Sequence, residues 1–158
     1  MRFREFEFRK LKAEDLQRIS KLIWDGFSEF EAPEYPEEGL RTFREFIEPA
    51  RLSKAAESGA MSFWGCFAGR EPAGVIASRG KSHISLLFVK TEYQRRGIAA
   101  ELFARLKAEL LAAQPETAAI TVHSSPFAVP VYEKLGFIAM DGEQLQDGLR
   151  FVPMKYQL

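Results

Sequence analysis

YQRRGIAAELFARL, residues 93–106, decides how this chain is read. Leu102, Phe103, Leu106 and, just beyond, Leu110 recur at helical spacing, so an amphipathic helix begins here. Ser, Thr, Asp or Asn usually opens such a helix by capping its free amides. This start has Gln94, Arg95, Arg96 and Gly97 instead. Uncapped amides at the positive end of a helix dipole suit a phosphate guest. Gly97 lets backbone approach that guest, Ala99 and Ala100 keep bulk away, and the arginines add charge. Spacing alone leaves two readings open, a pyrophosphate cradle or an ordinary helix start with solvated arginines. The stretch is not the phosphate loop of nucleotide hydrolases, which needs G-x-x-x-x-G-K-S/T. Nor does the chain carry a G-x-G-x-x-G dinucleotide fingerprint.

Outward from this helix the elements alternate. HISLLFVK (83–90) before it is a continuous apolar strand, as burial on both faces demands. MSFWGCFA (61–68) and PAGVIAS (72–78) are strands joined by a turn at GREP (69–72). Upstream, FREFEFRKL (3–11) reads as a first strand, and AEDLQRISKLIWDGF (13–27) as a helix burying Leu16, Ile19, Ile23 and Phe27. SEFEAPEYPEEG (28–39) reads as a loop. Pro36 opens a second helix carrying Leu40, Phe43 and Ile47, and Pro49 ends or kinks it. Downstream, AAITVHS (118–124) is a strand, and PFAVPVYEKL (126–135) a short helix capped by Ser125 and closed by Gly136. FIAMDG (137–142) and RFVPMKYQL (150–158) are expected as a terminal hairpin. The order β-α-α-β-β-β-α-β-α-β-β contains a strand–long helix–strand crossover, hence a parallel pair inside a mixed α/β sheet.

The chain has 158 residues, 46% of them hydrophobic, which suits one domain with a sizeable core. Its 22 basic and 22 acidic residues cancel, which argues against a dedicated nucleic-acid partner. Cys66 is the one cysteine, so no internal disulfide forms and a reducing, cytoplasmic setting is expected. Cys66 lies in an apolar run and is expected to be packed rather than reactive. No stretch has the apolar length of a membrane span or the apolar core of a signal peptide, so no membrane partner is expected.

QRRGIA (94–99) fits the pattern Q/R-x-x-G-x-G/A, and YEKLGF (132–137) follows it. Together these motifs and the element order resemble the GCN5-related N-acetyltransferase (GNAT) superfamily across essentially the whole chain. The resemblance implies an acyl-CoA N-acyltransferase fold, residues 1–158 forming one domain: a mostly antiparallel sheet with a splayed parallel strand pair, flanked by helices. It implies a bulged strand at 83–90, with acetyl-CoA as cosubstrate in the splay and no metal. The pantetheine arm would pair with backbone at Leu87, Phe88 and Val89, and an N–H near Leu87 or Phe88 would polarise the thioester carbonyl. The amides of Gln94, Arg95, Arg96, Gly97, Ile98, Ala99 and Ala100 would hold the pyrophosphate. Tyr132 looks like the family tyrosine that protonates the departing thiolate. His83 occupies the position of the histone-modifying branch's glutamate base, with His123 a second candidate and ordered water a third option. Pro126 departs from the family's asparagine, leaving that CoA contact to Ser124 or Ser125.

In this fold the first helices and their connection wall the acceptor site. Glu29, Glu31, Glu34, Glu37 and Glu38 would form an acidic rim that concentrates cationic amines. Phe30, Tyr35 and Trp64 are candidates for an apolar pocket or for the core. The expected activity is acetyl transfer from acetyl-CoA to a primary amine of a small molecule; the alternative is a non-catalytic acyl-CoA-binding sensor domain. Relatives that dimerise through their last strands imply a homodimer.

Overall fold

The structure, a computed structural model, describes residues 5–158. Phe3 and Arg4, the start of the expected first strand, lie outside the described residues. Strand β1 (Phe6–Lys10) leads through a short 3-10 turn into helix α1 (Leu16–Phe30), which buries Leu16, Ile19, Leu22, Ile23 and Phe27. Asp15 fixes this entry: its carboxylate accepts from the Lys12 N–H at 2.8 Å and from both terminal nitrogens of Arg9 on β1, at 2.9 and 3.2 Å. The expected loop at 28–39 is shorter than read. Helix α1 runs on to Phe30, a 3-10 turn covers Ala32–Glu34, and α2 (Glu37–Phe46) starts after Pro36, its cap residue. Pro49 does stop that helix, and it also opens a third, α3 (Pro49–Ser58). Proline at a first helical position lacks only an N–H that would be unpaired there anyway. The apolar stripe of α3 is weak, Leu52 being its one buried residue, so periodicity did not announce it.

Strands β2 (Met61–Ala68), β3 (Glu71–Arg79) and β4 (His83–Val89) form an antiparallel meander. Helix α4 (Ile98–Ala113) crosses over to β5 (Ala119–Ser124), which lies parallel to β4. Helix α5 (Val129–Leu135) follows, then β6 (Ile138–Ala139), β7 (Gln144–Gln146) and β8 (Leu149–Gln157). The sheet order is β1-β2-β3-β4-β5-β8-β6, with β7 also on β8.

The C-terminal hairpin differs from the expectation. Of 137–142, Ile138 and Ala139 pair with β8 and the Met140 N–H donates to the Pro153 carbonyl at 2.8 Å, while the tight hairpin joins β7 to β8 around Asp147 and Gly148. Both turn residues have positive φ, 53° and 80°, as a two-residue turn matching strand twist requires. The Asp-Gly pair in the sequence was the missed signal.

The sheet has a core on each face. Helix α4 buries Ile98, Leu102 and Leu106 on one side, with Phe103 and Phe137 beside them. Helices α1 and α3 cover the other with Ile19, Ile23, Phe27 and Leu52 against Phe63, Val75 and Leu86. Each such buried side chain contributes about 1.5–3 kcal/mol of transfer free energy. Cys66 is fully buried, and burial pushes its thiol up to about 12. Among the described residues no helix is long and apolar enough to cross a membrane.

Candidate active site

The parallel pair β4–β5 is joined at two positions only, His83 opposite Thr121 and Ile84 opposite Val122. Beyond Ile84 the strands part, while β4 stays paired to β3 as far as Val89 opposite Gly74. The parting coincides with a bulge. Ile84 faces Ser78 and Leu86 faces Ala77, so Ser85 is one residue too many for the ladder. An extra residue bends a strand and aims its backbone away from the partner. The Ser85 hydroxyl is buried with no hydrogen-bond partner among the described residues. Leaving such a group unsatisfied costs about 1–3 kcal/mol, which a polar ligand atom can recover. Leu87, Phe88 and Val89 lie beyond the bulge, on the stretch of β4 that β5 has left.

This opening runs toward the start of α4. Gly97 is the cap residue there, at φ 82° in the left-handed region that favours glycine, and no side chain caps the helix among the described residues. Arg95 also has positive φ, 64°. The loop therefore presents the amides of Ile98, Ala99 and Ala100 unblocked. The Ile98 side chain is itself core, 1% exposed, so its part is main-chain only. Gln94 is exposed and bonds back to the end of β4, its Nε2 donating to the Val89 carbonyl at 3.0 Å. The two arginines separate in role. Arg96 is tethered to Glu5 at 2.7 Å and lies over Phe6 and Tyr93, whereas exposed Arg95 has no ion pair among the described residues.

On the α1–α2 side of the sheet lies a cavity of about 320 Å³ that reaches the splay. Its floor includes Leu86 and Phe88, and its apolar wall is Phe27 and Phe43, stacked 4.1 Å apart. The β7–β8 hairpin forms the opposite wall and is tied to the α1–α2 region. Tyr35 donates to the Arg150 carbonyl at 3.0 Å, Arg150 to the Glu34 carbonyl at 2.9 Å, and Thr42 to the Asp147 carbonyl at 2.9 Å.

Tyr132 also lines the cavity. It is 5% exposed, and its hydroxyl makes no hydrogen bond among the described residues. Burial, then the charge of Glu31, raises its pKa. Ser125 is beside it, its Oγ accepting from the Ala128 N–H at 3.2 Å as helix cap. Ser124 is buried, its hydroxyl turned to the Ser125 carbonyl.

The sequence kept His83 and His123 as separate candidates; the structure brings them together, ring centroids 4.7 Å apart. His83 Nδ1 lies 2.9 Å from the Thr121 hydroxyl, and His123 stacks on Phe151 at 4.3 Å. Burial, with Arg79 and His123 nearby, pushes His83 down to about 4. Burial and Arg79 lower His123 as well. His83 is therefore neutral at pH 7 and too weakly basic to take a proton readily from an ammonium group.

The acidic connection does not act as one rim. Glu29 accepts from Thr91 at 2.9 Å, Glu34 pairs with Arg150 at 3.4 Å, and Glu37 and Glu38 sit exposed in the first turn of α2. Glu31 alone enters the cavity, where burial pushes its carboxyl up to about 7 against a smaller pull from the Ser125 hydroxyl. Of the three aromatics read as pocket or core, Tyr35 lines the cavity, Phe30 stacks on Phe127 at 5.2 Å, and Trp64 bonds Glu109 of α4 on the far face of the sheet. Among the described residues no group of three or more His, Cys, Asp or Glu side chains is placed to hold a metal ion.

A family model described as an acetyltransferase (GNAT) domain matches residues 31–158. The chain is 26% identical over 140 residues to the uncharacterized N-acetyltransferase YafP of Escherichia coli K12, covering 89% of this chain and 86% of that protein. Its fold is similar to a GCN5-related N-acetyltransferase from Rhodopseudomonas palustris, with TM-score 0.78, 22% identity and coverage of 96% and 95% of the two chains. It is also similar to the PaiA N-acetyltransferase of Thermoplasma acidophilum, solved in complex with coenzyme A, with TM-score 0.75, 24% identity and coverage of 97% and 99%.

Proposed function

The chain belongs to the GNAT acetyltransferase family, and from that premise we propose that it transfers the acetyl group of acetyl-CoA to a primary amine of a small-molecule acceptor. One observation carries the reading. The β4–β5 splay leads to the uncapped start of α4 in one direction and into a cavity lined by Tyr132 in the other. That is the geometry for an elongated donor whose phosphates and reactive end need different surroundings.

The amides from Gln94 to Ala100 hold the pyrophosphate, with Arg95 supplying charge that Arg96 has committed to Glu5. The main chain at Leu87, Phe88 and Val89 pairs with the pantetheine arm as an added strand would. An N–H near Leu87 or Phe88 donates to the thioester oxygen as negative charge develops there. Tyr132 donates to the sulfur as the C–S bond breaks. Its burial keeps the hydroxyl protonated and also makes it a weaker acid, so donation accompanies bond breaking rather than preceding it. Ser125 takes the place of the family asparagine at the cofactor. The same resemblance proposes a homodimer through the last strands, where Ile138, Met140 and Leu145 are exposed; sedimentation at a mass near 36 kDa, about twice the 18.0 kDa chain, is the expected result.

The test is thiol release from acetyl-CoA across a panel of primary amines. Amine-dependent release with equimolar acetylated product supports the proposal. Tight acetyl-CoA binding with no transfer to any amine would favour the sensor reading instead.

A further inference from the structure

Within that proposed reaction, which this inference rests on, the geometry points to Glu31 as the general base that takes the proton from the acceptor amine. Glu31 ends α1 as its C-terminal cap residue and opens the 3-10 turn Ala32–Glu34 that follows. It lines the cavity with Tyr132 and Ser125 at one end and Tyr35 beside it, and it is largely shielded from solvent. Its charge is felt by both tyrosines. Among the described residues it has no ion-pair partner. Arg150, the β8 arginine that lines the cavity, is taken by Glu34 and Glu143, at 3.4 and 3.8 Å. Arg79 and Arg150 line the same cavity, yet neither is ion-paired with Glu31, and a shielded carboxylate without an ion-pair partner invites a cationic guest such as a primary ammonium group.

The other groups around the cavity fit badly. Tyr35 is held by the Arg150 carbonyl and pushed up to about 12. His83 and His123 sit on the sheet floor and are lowered, and Arg79 beside them is a cation. Glu34 and Glu143 are spent on Arg150, and Asp147, the other carboxylate that lines the cavity, belongs to the β7–β8 turn on the opposite wall. Glu31 is the one cavity group whose proton affinity is set near neutrality, by burial. A base poised there is deprotonated often enough to accept a proton and basic enough to hold it.

The protons balance. Glu31 takes one proton from the acceptor ammonium, and the freed lone pair forms the C–N bond at the thioester carbon. The C–S bond breaks, and the thiolate takes the Tyr132 proton. The tyrosine oxygen recovers a proton from the nitrogen that has become an amide, and Glu31 returns its own to solvent. The net products are the acetamide, the CoA thiol and one released proton.

The experiment measures kcat from pH 5.5 to 9 for wild type, Glu31→Gln and Glu31→Asp. Two probe amines are used, benzylamine, protonated at neutral pH, and methoxyamine, neutral there. For benzylamine, Glu31→Gln is expected to lower kcat by about 10²–10⁴-fold and to abolish the acid limb of the profile. Glu31→Asp should restore part of the loss. Methoxyamine, which needs no initial deprotonation, should lose far less, and acetyl-CoA affinity should hold within about twofold in every variant. A Gln variant that keeps kcat and the acid limb for benzylamine overturns the proposal, as does an equal loss for both amines. A second measurement needs no acceptor. Carboxyl ¹³C NMR of glutamate-labelled protein should show one carboxyl titrating near pH 7 that vanishes in Glu31→Gln; its absence also overturns the proposal. If wild type binds acetyl-CoA but acetylates neither amine, the amine-acceptor reading fails, and this titration then decides the state of Glu31 by itself.

Discussion

Gly39→Ala is a single-methyl perturbation of the wall proposed to face the acceptor. Gly39 lies in the first turns of α2 against the tip of the β7–β8 hairpin. A Cβ at Gly39 would run into the Gly148 carbonyl oxygen and lie 2.9 Å from its carbonyl carbon, where ordinary contact begins at 3.4 Å. Both neighbours are backbone, so no side chain can swing away. The helix and the hairpin must part by about 0.5 Å or more, at an overpacking cost of about 1–3 kcal/mol. The first bond to stretch is Thr42 to the Asp147 carbonyl, now 2.9 Å, followed by the Tyr35 and Arg150 ties. Losing one such bond costs about 1 kcal/mol, close to a fivefold change in an equilibrium constant. Gly39→Ala should therefore lower Tm by roughly 2–12 °C. It should raise KM for benzylamine about fivefold or more, and leave acetyl-CoA Kd, read by calorimetry, within about twofold. An acetyl-CoA Kd that rises as much as the amine KM would refute the assignment of this wall to the acceptor. So would a lowered Tm with an unchanged amine KM.

Three further outcomes are expected. Tyr132→Phe should reduce kcat by about 10²–10⁴-fold with acetyl-CoA Kd unchanged; since the hydroxyl makes no hydrogen bond among the described residues, Tm should not fall, and unimpaired turnover would remove Tyr132 from the chemistry. Asp15→Asn should cost about 1–2 kcal/mol in urea unfolding, by loss of the Arg9 bridge. The carboxyl of Asp15 is lowered by Arg9 and the Lys12 N–H, so this contribution is complete above the unfolded value near ~3.9 and fades as pH drops through the folded value below it; a wild-type advantage that does not shrink at all as pH falls below ~3.9 contradicts the bridge. Cys66, pushed up to about 12 and fully buried, should resist a disulfide-exchange reagent at pH 8 until denaturant is added, and rapid labelling of native protein would contradict its burial.

Much of the fold was legible because strong local signals agreed with their tertiary setting. The strand at Met61–Ala68 matched the reading residue for residue, alternating or continuous apolar runs bounded by Gly and Pro being unambiguous. Helix α4 was legible from its leucines, and its open start from the missing cap. Helix α3 was not, because its burial rests on Leu52 and small alanines, and Pro49 reads equally as a stop or a start. The terminal hairpin was misplaced because Asp147-Gly148 was passed over in favour of a longer apolar run at 137–142.

At the site, main-chain features were foreseeable and side-chain electrostatics were not. The splay and the bulge followed from the family resemblance, though nothing local marks Ser85 as the bulged residue. Glu31 sits among five glutamates of one acidic connection, and only the turn after α1 decides which of them lines the cavity. The closeness of His83 to His123 depends on the register of two strands some forty residues apart, which no local pattern encodes.

The most direct test of the account is a calorimetric titration of the purified protein with acetyl-CoA and with free CoA, repeated on Gly97→Trp. Saturable binding at one site per chain, lost when a bulky residue is forced onto the positive φ of Gly97, is the expected result. Absence of binding by the wild-type protein would reduce the uncapped start of α4 to an ordinary helix terminus, and the acetyl-transfer reading would fall with it.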